Sequence, residues 1–259
     1  MKLAELLGPT LVEQFIARTF GVRAWVQLRN DATAQPLLSL EELDTRVNDG
    51  TASLSALAVI GPDGAKLPPE ALFVRQPGPA WAPHFLRKSR LGALLRGGHS
   101  CVLHNMSQIT PRVAELIESV EEAFPGYQAD AHIYFSPSAG ATGFDVHRDQ
   151  PQHKFYVQLH GSTHWTVYRG SDPAISMKPD EAAARLAVDF EVRLTPGSVL
   201  YLPPGVFHRV ESRDGARVSL SIPFYESPLA LKVDRTRVPV AELLGESLGA
   251  HSNSKSVAE

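Results

Sequence analysis

The chain has 259 residues, 43% hydrophobic and 20% charged, with 25 Lys and Arg against 28 Asp and Glu for a net charge of −3. That is ordinary globular composition, with enough chain to bury a full core in one domain or two. The near-balanced charge excludes a global basic field for tracking nucleic acid, and no apolar run reaches the roughly eighteen residues that a membrane span needs.

The chain carries a single cysteine, Cys101, in the apolar setting SCVLHN. It has no partner for an internal disulfide, fits a reducing compartment, and reads as a small core residue. The opening MKLAELLGPTLVEQF is interrupted by Glu5 and Glu13. It lacks a signal-peptide apolar region, so a cytoplasmic location is expected.

In chain order, Leu3, Leu6, Leu7, Leu11, Phe15, Ile16 and Phe20 recur at helical spacing, broken near Gly8-Pro9. This predicts a short helix, then a longer one ending before Gly21. Ala24–Leu28 reads as a strand, Leu40–Val47 as a short helix and Leu54–Ile60 as a strand that ends at the turn Gly61–Gly64. The Pro-rich residues 66–83 are expected to form a loop or covering arm. Ser89–Arg96 is predicted helical and Ser100–Leu103 extended. Thr110-Pro111 looks like an N-cap followed by proline at the first helical position. Val113, Leu116, Ile117, Val120 and Phe124 then give that helix one apolar face.

From Gln128 the texture changes to short strands and turns. Strands are predicted at 130–135, 144–147, 154–160, 164–169, 190–193, 198–202, 207–211 and 216–222, with a helical insert at Lys178–Ala187. This density of short strands suggests a sandwich or barrel. Beyond Pro228 a short helix, Val240–Leu248, and a disordered polar tail are expected. The predicted organisation is a helix-rich N-terminal part (1–127) packing on a β-fold (128–228), with a short extension (229–259). Together these form one catalytic unit.

Chemistry concentrates in FDVHRDQPQHKFYVQLHGSTHW, residues 144–165. His147 and Asp149, two apart on a strand, aim to one side. A third ligand must come from another strand, and His208 follows the chain reversal Pro203-Pro204-Gly205. Two histidines and one carboxylate on one face of a metal form the facial triad of non-haem Fe(II) oxygenases. His160 and His164 are separated by a glycine turn and are not expected to share a face. His153 is a candidate substrate-side group.

These residues resemble the JmjC-type cupins, in particular the bacterial cupin-4 branch that contains the ribosomal oxygenases. The likeness covers roughly residues 10–225. It rests on FIARTFGVRAWVQL, HIYFSP, GFDVHRD, FYVQLHG, HWTVY and PPGVFHRVES. It implies a mainly β fold with added helices, a double-stranded β-helix or jelly-roll with a helix-rich N-terminal half. It also implies Fe(II) held by His147, Asp149 and His208, with 2-oxoglutarate and O2 as cosubstrates and succinate and CO2 as products.

One position departs from the family. After the glycine turn its pattern is Gly-x-(Lys/Arg)-x-Trp, and the basic residue pairs with the far carboxylate of 2-oxoglutarate. Here Thr163 stands at that place. A buried carboxylate needs a cation, so the charge is expected from elsewhere. Lys154, on a strand face with Tyr156 and Gln158, is the first candidate. Arg217, on a face with Ser219 and Ser221, is the second. Thr163 is retained as a hydrogen-bond donor, Tyr134 as a hydroxyl donor to the cosubstrate, and Ser138 as a lining residue. Trp165 and Tyr168 read as core.

The leading expectation is a 2-oxoglutarate-dependent dioxygenase that hydroxylates a peptide or protein side chain. The alternatives are an oxygenase for a small molecule or natural-product intermediate, and a non-catalytic metal-binding cupin module. The ribosomal oxygenases continue into a helical dimerisation region and a winged-helix-like end. The few residues after Pro228 leave no room for both, so a short stand-alone enzyme is expected.

Overall fold

Inward and outward side chains alternate along most of the strands, and the chain covers both faces by stacking two larger antiparallel sheets, with a separate two-stranded pair beside them. The computed structural model describes residues 1–8, 10–29, 37–48, 56–79, 84–140 and 144–227. The expected helix Val240–Leu248 and the polar tail lie outside the described residues.

The helices are α1 (Leu3–Leu7), α2 (Val12–Arg18), α3 (Leu40–Asn48), α4 (Lys88–Arg96), α5 (Pro111–Ala123) and α6 (Pro179–Arg185). The strands before the fold's centre are β1 (Trp25–Gln27), β2 (Leu57–Ile60), β3 (Phe73–Arg75), β4 (His84–Leu86), β5 (Ser100–Leu103), β6 (Tyr127–Ala129) and β7 (His132–Ser136). Those after it are β8 (Val146–Arg148), β9 (His153–His160), β10 (Thr163–Arg169), β11 (Ser176–Met177), β12 (Ala187–Leu194), β13 (Val199–Leu202), β14 (Phe207–Glu211) and β15 (Arg217–Glu226).

The larger sheet runs β1-β13-β9-β15-β7-β5-β2, with β6 also paired to β15, and the smaller runs β11-β8-β14-β10-β12. Facing each other, they make a jelly-roll. Tyr156, Leu200 and Leu202 of the large sheet pack against Trp165, Val167, Leu194 and Val210 of the small one.

The outer face of the large sheet carries Phe155, Val157, Leu159 and Tyr201, covered by the N-terminal helices. This explains why β9 is buried nearly throughout: Lys154, Tyr156 and Gln158 face the jelly-roll interior, and Phe155, Val157 and Leu159 face the helices. Phe15 of α2 is fully buried, its ring 5.5 Å from Phe155 and 4.9 Å from Tyr201. Burying such a side chain contributes roughly 1.5–3 kcal/mol. Thr110 caps α5 by accepting the Val113 N–H at 3.1 Å, and Val113, Leu116, Ile117 and Val120 are the buried stripe.

The structure adds pairings that local pattern did not disclose. Strands β1, β2 and β5, all before residue 128, hydrogen-bond into the large sheet instead of merely packing on it. Within the Pro-rich arm, Leu72 and Phe73 are buried and β3 pairs with β4, Phe73 opposite Leu86. Strand β6 was not expected. Strands β12 and β15 run longer than predicted because each has a long neighbour to pair with.

The turn between β9 and β10 is set by Gly161. Its φ is +65°, and a Cβ there would lie 1.9 Å from the Ala216 carbonyl oxygen. Only glycine tolerates both the left-handed backbone and that approach.

Candidate metal centre

Register on the small sheet builds the centre. Strands β8 and β14 are antiparallel neighbours with His147 directly opposite His208, and the two rings lie 4.4 Å apart between centroids. Asp149 follows two residues after His147. Its carbonyl accepts the Gly205 N–H at 2.8 Å, which ties the Pro-Pro-Gly turn to the ligand segment. One ligand atom from each of His147, Asp149 and His208 comes within 4.8 Å of the others.

Both imidazoles are oriented by backbone carbonyls. His147 Nδ1 donates to Asp145 O at 2.8 Å, and His208 Nδ1 donates to Val206 O at 3.0 Å. Each tautomer leaves the Nε2 lone pair free for a metal, the usual way a second hydrogen bond fixes a histidine ligand. Burial first, then His147, pushes His208 down to about 3. Burial also lowers His147. Burial opposes ionisation of Asp149, but His208, the Lys154 ammonium and His147, the two imidazoles being cationic only in acid, outweigh it and hold the carboxyl at about 2. At neutral pH the three side chains are therefore two neutral imidazoles and one carboxylate. That donor set fits a divalent first-row metal with open positions.

A cavity adjoins these ligands. Its wall includes His147 and His208 together with Tyr134, Tyr156, Trp165, Arg217 and Ser219. Arg217 is only 2% exposed. Its Nε donates to Ser212 Oγ at 2.7 Å, but Nη2 has no hydrogen-bond partner among the described residues. Burial pushes the guanidinium down to about 10, so it stays charged at neutral pH. Burial and then Asp149 push the Tyr134 phenol up, keeping its proton. The Trp165 ring stacks over His208 at 5.7 Å.

The remaining expected site residues fall in different places. The structure departs from the expectation for Lys154 as the far-carboxylate anchor. Its Nζ is engaged with Asp149 Oδ1 at 2.7 Å, and it is not on the cavity wall. Thr163 is off the wall too. Its hydroxyl donates to Gln158 Oε1 at 2.8 Å and accepts Trp165 Nε1–H at 2.9 Å, so its capacity is spent inside the core. Ser219 does line the cavity, and it donates to the same Gln158 oxygen at 2.9 Å. Ser138 is not on the wall.

His153 sits on the outer face of the large sheet, stacked on Phe20. His160 bonds the Leu38 carbonyl and His164 bonds Asp214, both away from the triad. Sequence reasoning missed the hydroxyl of Tyr156, which donates to Asp149 Oδ2 at 3.1 Å. Its place on the inward face of β9 was the available signal.

Comparison with known proteins agrees with the geometry. The JmjC domain family matches residues 102–230. Among curated proteins, ribosomal oxygenase 1 of Rattus norvegicus is 31% identical over 128 residues, 48% of this chain and 21% of the relative. A bifunctional lysine-specific demethylase and histidyl-hydroxylase NO66 of Culex quinquefasciatus is 25% identical over 232 residues, 83% of this chain and 32% of the relative. The chain thus spans a third or less of these relatives' length.

A solved structure of YcfD, a ribosomal oxygenase from Escherichia coli, in complex with cobalt and 2-oxoglutarate, superposes with a TM-score of 0.56 at 19% identity. It covers 95% of this chain and 57% of that one. The likeness shows a shared fold. No helix among the described residues is long and apolar enough to cross a membrane.

Proposed function

We propose that this chain, whose residues 102–230 match the JmjC domain family, is an Fe(II)- and 2-oxoglutarate-dependent oxygenase that hydroxylates a protein or peptide side chain. The observation that carries the reading is Arg217. A buried guanidinium whose Nη2 has no partner among the described residues shares one cavity wall with two histidines whose Nε2 atoms are unprotonated. A buried charge without a counter-ion costs several kcal/mol, so the position suits a carboxylate that arrives with a ligand. A 2-oxo diacid has one carboxylate for the guanidinium and a 2-oxo carboxylate for a metal. Arg217 supplies the cation that the family keeps at the place of Thr163, which weighs against a non-catalytic module.

In this reading His147, Asp149 and His208 hold the metal. Arg217 orients the cosubstrate, with the protonated phenol of Tyr134 and the hydroxyl of Ser219 as neighbouring polar groups. Trp165 and Val210 close the wall against water. When bound, Fe(II) and 2-oxoglutarate supply the oxidising chemistry that inserts one atom of O2 into a substrate C–H bond and leaves succinate and CO2. The relatives' names, a ribosomal oxygenase and a histidyl-hydroxylase, favour a protein side chain over a small molecule.

As domain organisation we keep residues 1–127 and 128–228 in one catalytic unit, supported by the early strands that complete the large sheet. A reducing cytoplasm suits the buried free thiol of Cys101.

The test is incubation of the Fe(II)-loaded protein with 2-oxoglutarate, O2 and a peptide library. Succinate released in step with peptides that gain one oxygen atom supports the reading. Succinate released only with small-molecule substrates overturns the protein-substrate part. No succinate with any substrate overturns the oxygenase.

A further inference from the structure

The two oxygens of Asp149 have different neighbours. Oδ2 lies 3.6 Å from His208 Nε2 and accepts the Tyr156 hydroxyl at 3.1 Å. Oδ1 lies 2.7 Å from Lys154 Nζ. The lysine is not a surface charge that happens to reach inward, since it is only 6% exposed. Its strand position fixes it there. Lys154 and Tyr156 alternate onto the inward face of β9, so each reaches a different oxygen of one carboxylate.

We propose that Lys154 is a positioning residue that makes Asp149 a one-oxygen metal ligand, by holding Oδ1 while Oδ2 is left to the metal. The inference rests on the metal-site reading above and goes beyond it. A carboxylate can bind a metal through one oxygen or two. Two imidazoles and a two-oxygen carboxylate would fill four positions of a six-coordinate ion. That leaves room for a chelating 2-oxo acid or for O2, but not for both. With Oδ1 committed to the ammonium, the side chains fill three positions and three stay open. The ammonium–carboxylate contact is a charge-assisted hydrogen bond, among the stronger kinds. In the interior it is little screened by solvent, so it is well placed to keep Oδ1 occupied.

The test titrates nitric oxide, a probe that takes one metal position, into anaerobic Fe(II)-loaded protein with and without saturating 2-oxoglutarate, read by electron paramagnetic resonance. With Asp149 on one oxygen, a position stays open beside the chelated 2-oxo acid. In K154M, freed Oδ1 competes for that position. The expected result is a loss of nitric oxide affinity of about 10- to 100-fold in the presence of 2-oxoglutarate, the range typical of groups that support metal ligands, with little change in its absence. K154R, which keeps a cation and a donor, is expected to retain the wild-type ratio of the two affinities. K154A, which also lacks a donor, carries the same comparison should K154M fail to fold.

Equal losses with and without 2-oxoglutarate, or no loss in either, overturn the inference. Wild-type protein that binds Fe(II) but not 2-oxoglutarate overturns the functional reading and this inference with it. Normal wild-type binding with an unchanged K154M overturns the inference alone.

Discussion

His147 and His208 stand directly opposite each other across β8 and β14, with ring centroids 4.4 Å apart and each Nδ1 tied to a backbone carbonyl. Neither residue can turn away without breaking a hydrogen bond, so the pair is preorganised for a metal.

Metal binding is therefore expected to stabilise the fold. At a hundredfold excess over the dissociation constant the gain is about 2.7 kcal/mol, which for a chain of this size raises Tm by roughly 5–10 °C. A chelator should reverse the shift, and H208A should show none. Differential scanning fluorimetry with and without Fe(II) or Co(II) checks this.

Arg217 and Thr163 form the second expectation. R217M should weaken 2-oxoglutarate binding by at least about 30-fold, since losing one partner of a buried charge pair costs about 2–5 kcal/mol. Thr163 alternates with Trp165 onto the inward face of β10, and Trp165 lines the cavity. A lysine at 163 thus returns a cation to the same space from the other sheet. The double variant T163K/R217M should recover most of the lost affinity, read by calorimetry on metal-loaded protein.

What could be read from the chain divides along physical lines. Strand alternation aimed His147 and Asp149 together, and the Pro-Pro-Gly turn marked His208, because both signals are local. The choice between Lys154 and Arg217 was not local. Each lies on an inward face, and what separates them is which partner stands opposite: Asp149 for one, Ser212 and an open cavity for the other. The contact of Tyr156 with Asp149 depends equally on tertiary placement. The β3–β4 pair escaped notice because the Pro-rich arm has no period, and the long ends of β12 and β15 because pairing, not residue type, extends them.

Acid should destabilise the protein through His153. It is 8% exposed, and burial pushes it down to about 4. Its Nδ1 accepts the Tyr201 hydroxyl at 2.8 Å, while that oxygen accepts the Gly21 N–H at 2.9 Å. The unfolded chain takes up this proton near pH 6.5 and the folded one only near 4. Stability is thus full above about pH 6.5 and falls as pH drops towards 4, by up to about 3 kcal/mol from this group. His104, also lowered to about 4 by burial and by His132, adds to the slope. Metal-free urea unfolding between pH 4 and 7 should show a shallower slope for H153F than for wild type.

Gly161 should not tolerate a side chain. G161A brings a Cβ to 1.9 Å from the Ala216 oxygen at a φ of +65°, and a loss of more than about 4 kcal/mol is expected. Gly140, at φ +78° with nothing among the described residues within 4 Å, is the comparison. G140A should cost only the roughly 1–2 kcal/mol of a left-handed residue. Urea unfolding of both variants separates the steric cost from the backbone cost.

The central claim, that the triad and Arg217 together hold a metal-chelated 2-oxo acid, is tested most directly by an anaerobic titration of 2-oxoglutarate into Fe(II)-loaded protein. The readout is the visible absorption band of the chelate. The account predicts a saturable band in wild type, a band that needs far more 2-oxoglutarate in R217M, and none in H208A. Wild-type protein that holds Fe(II) yet develops no band at any concentration would contradict it.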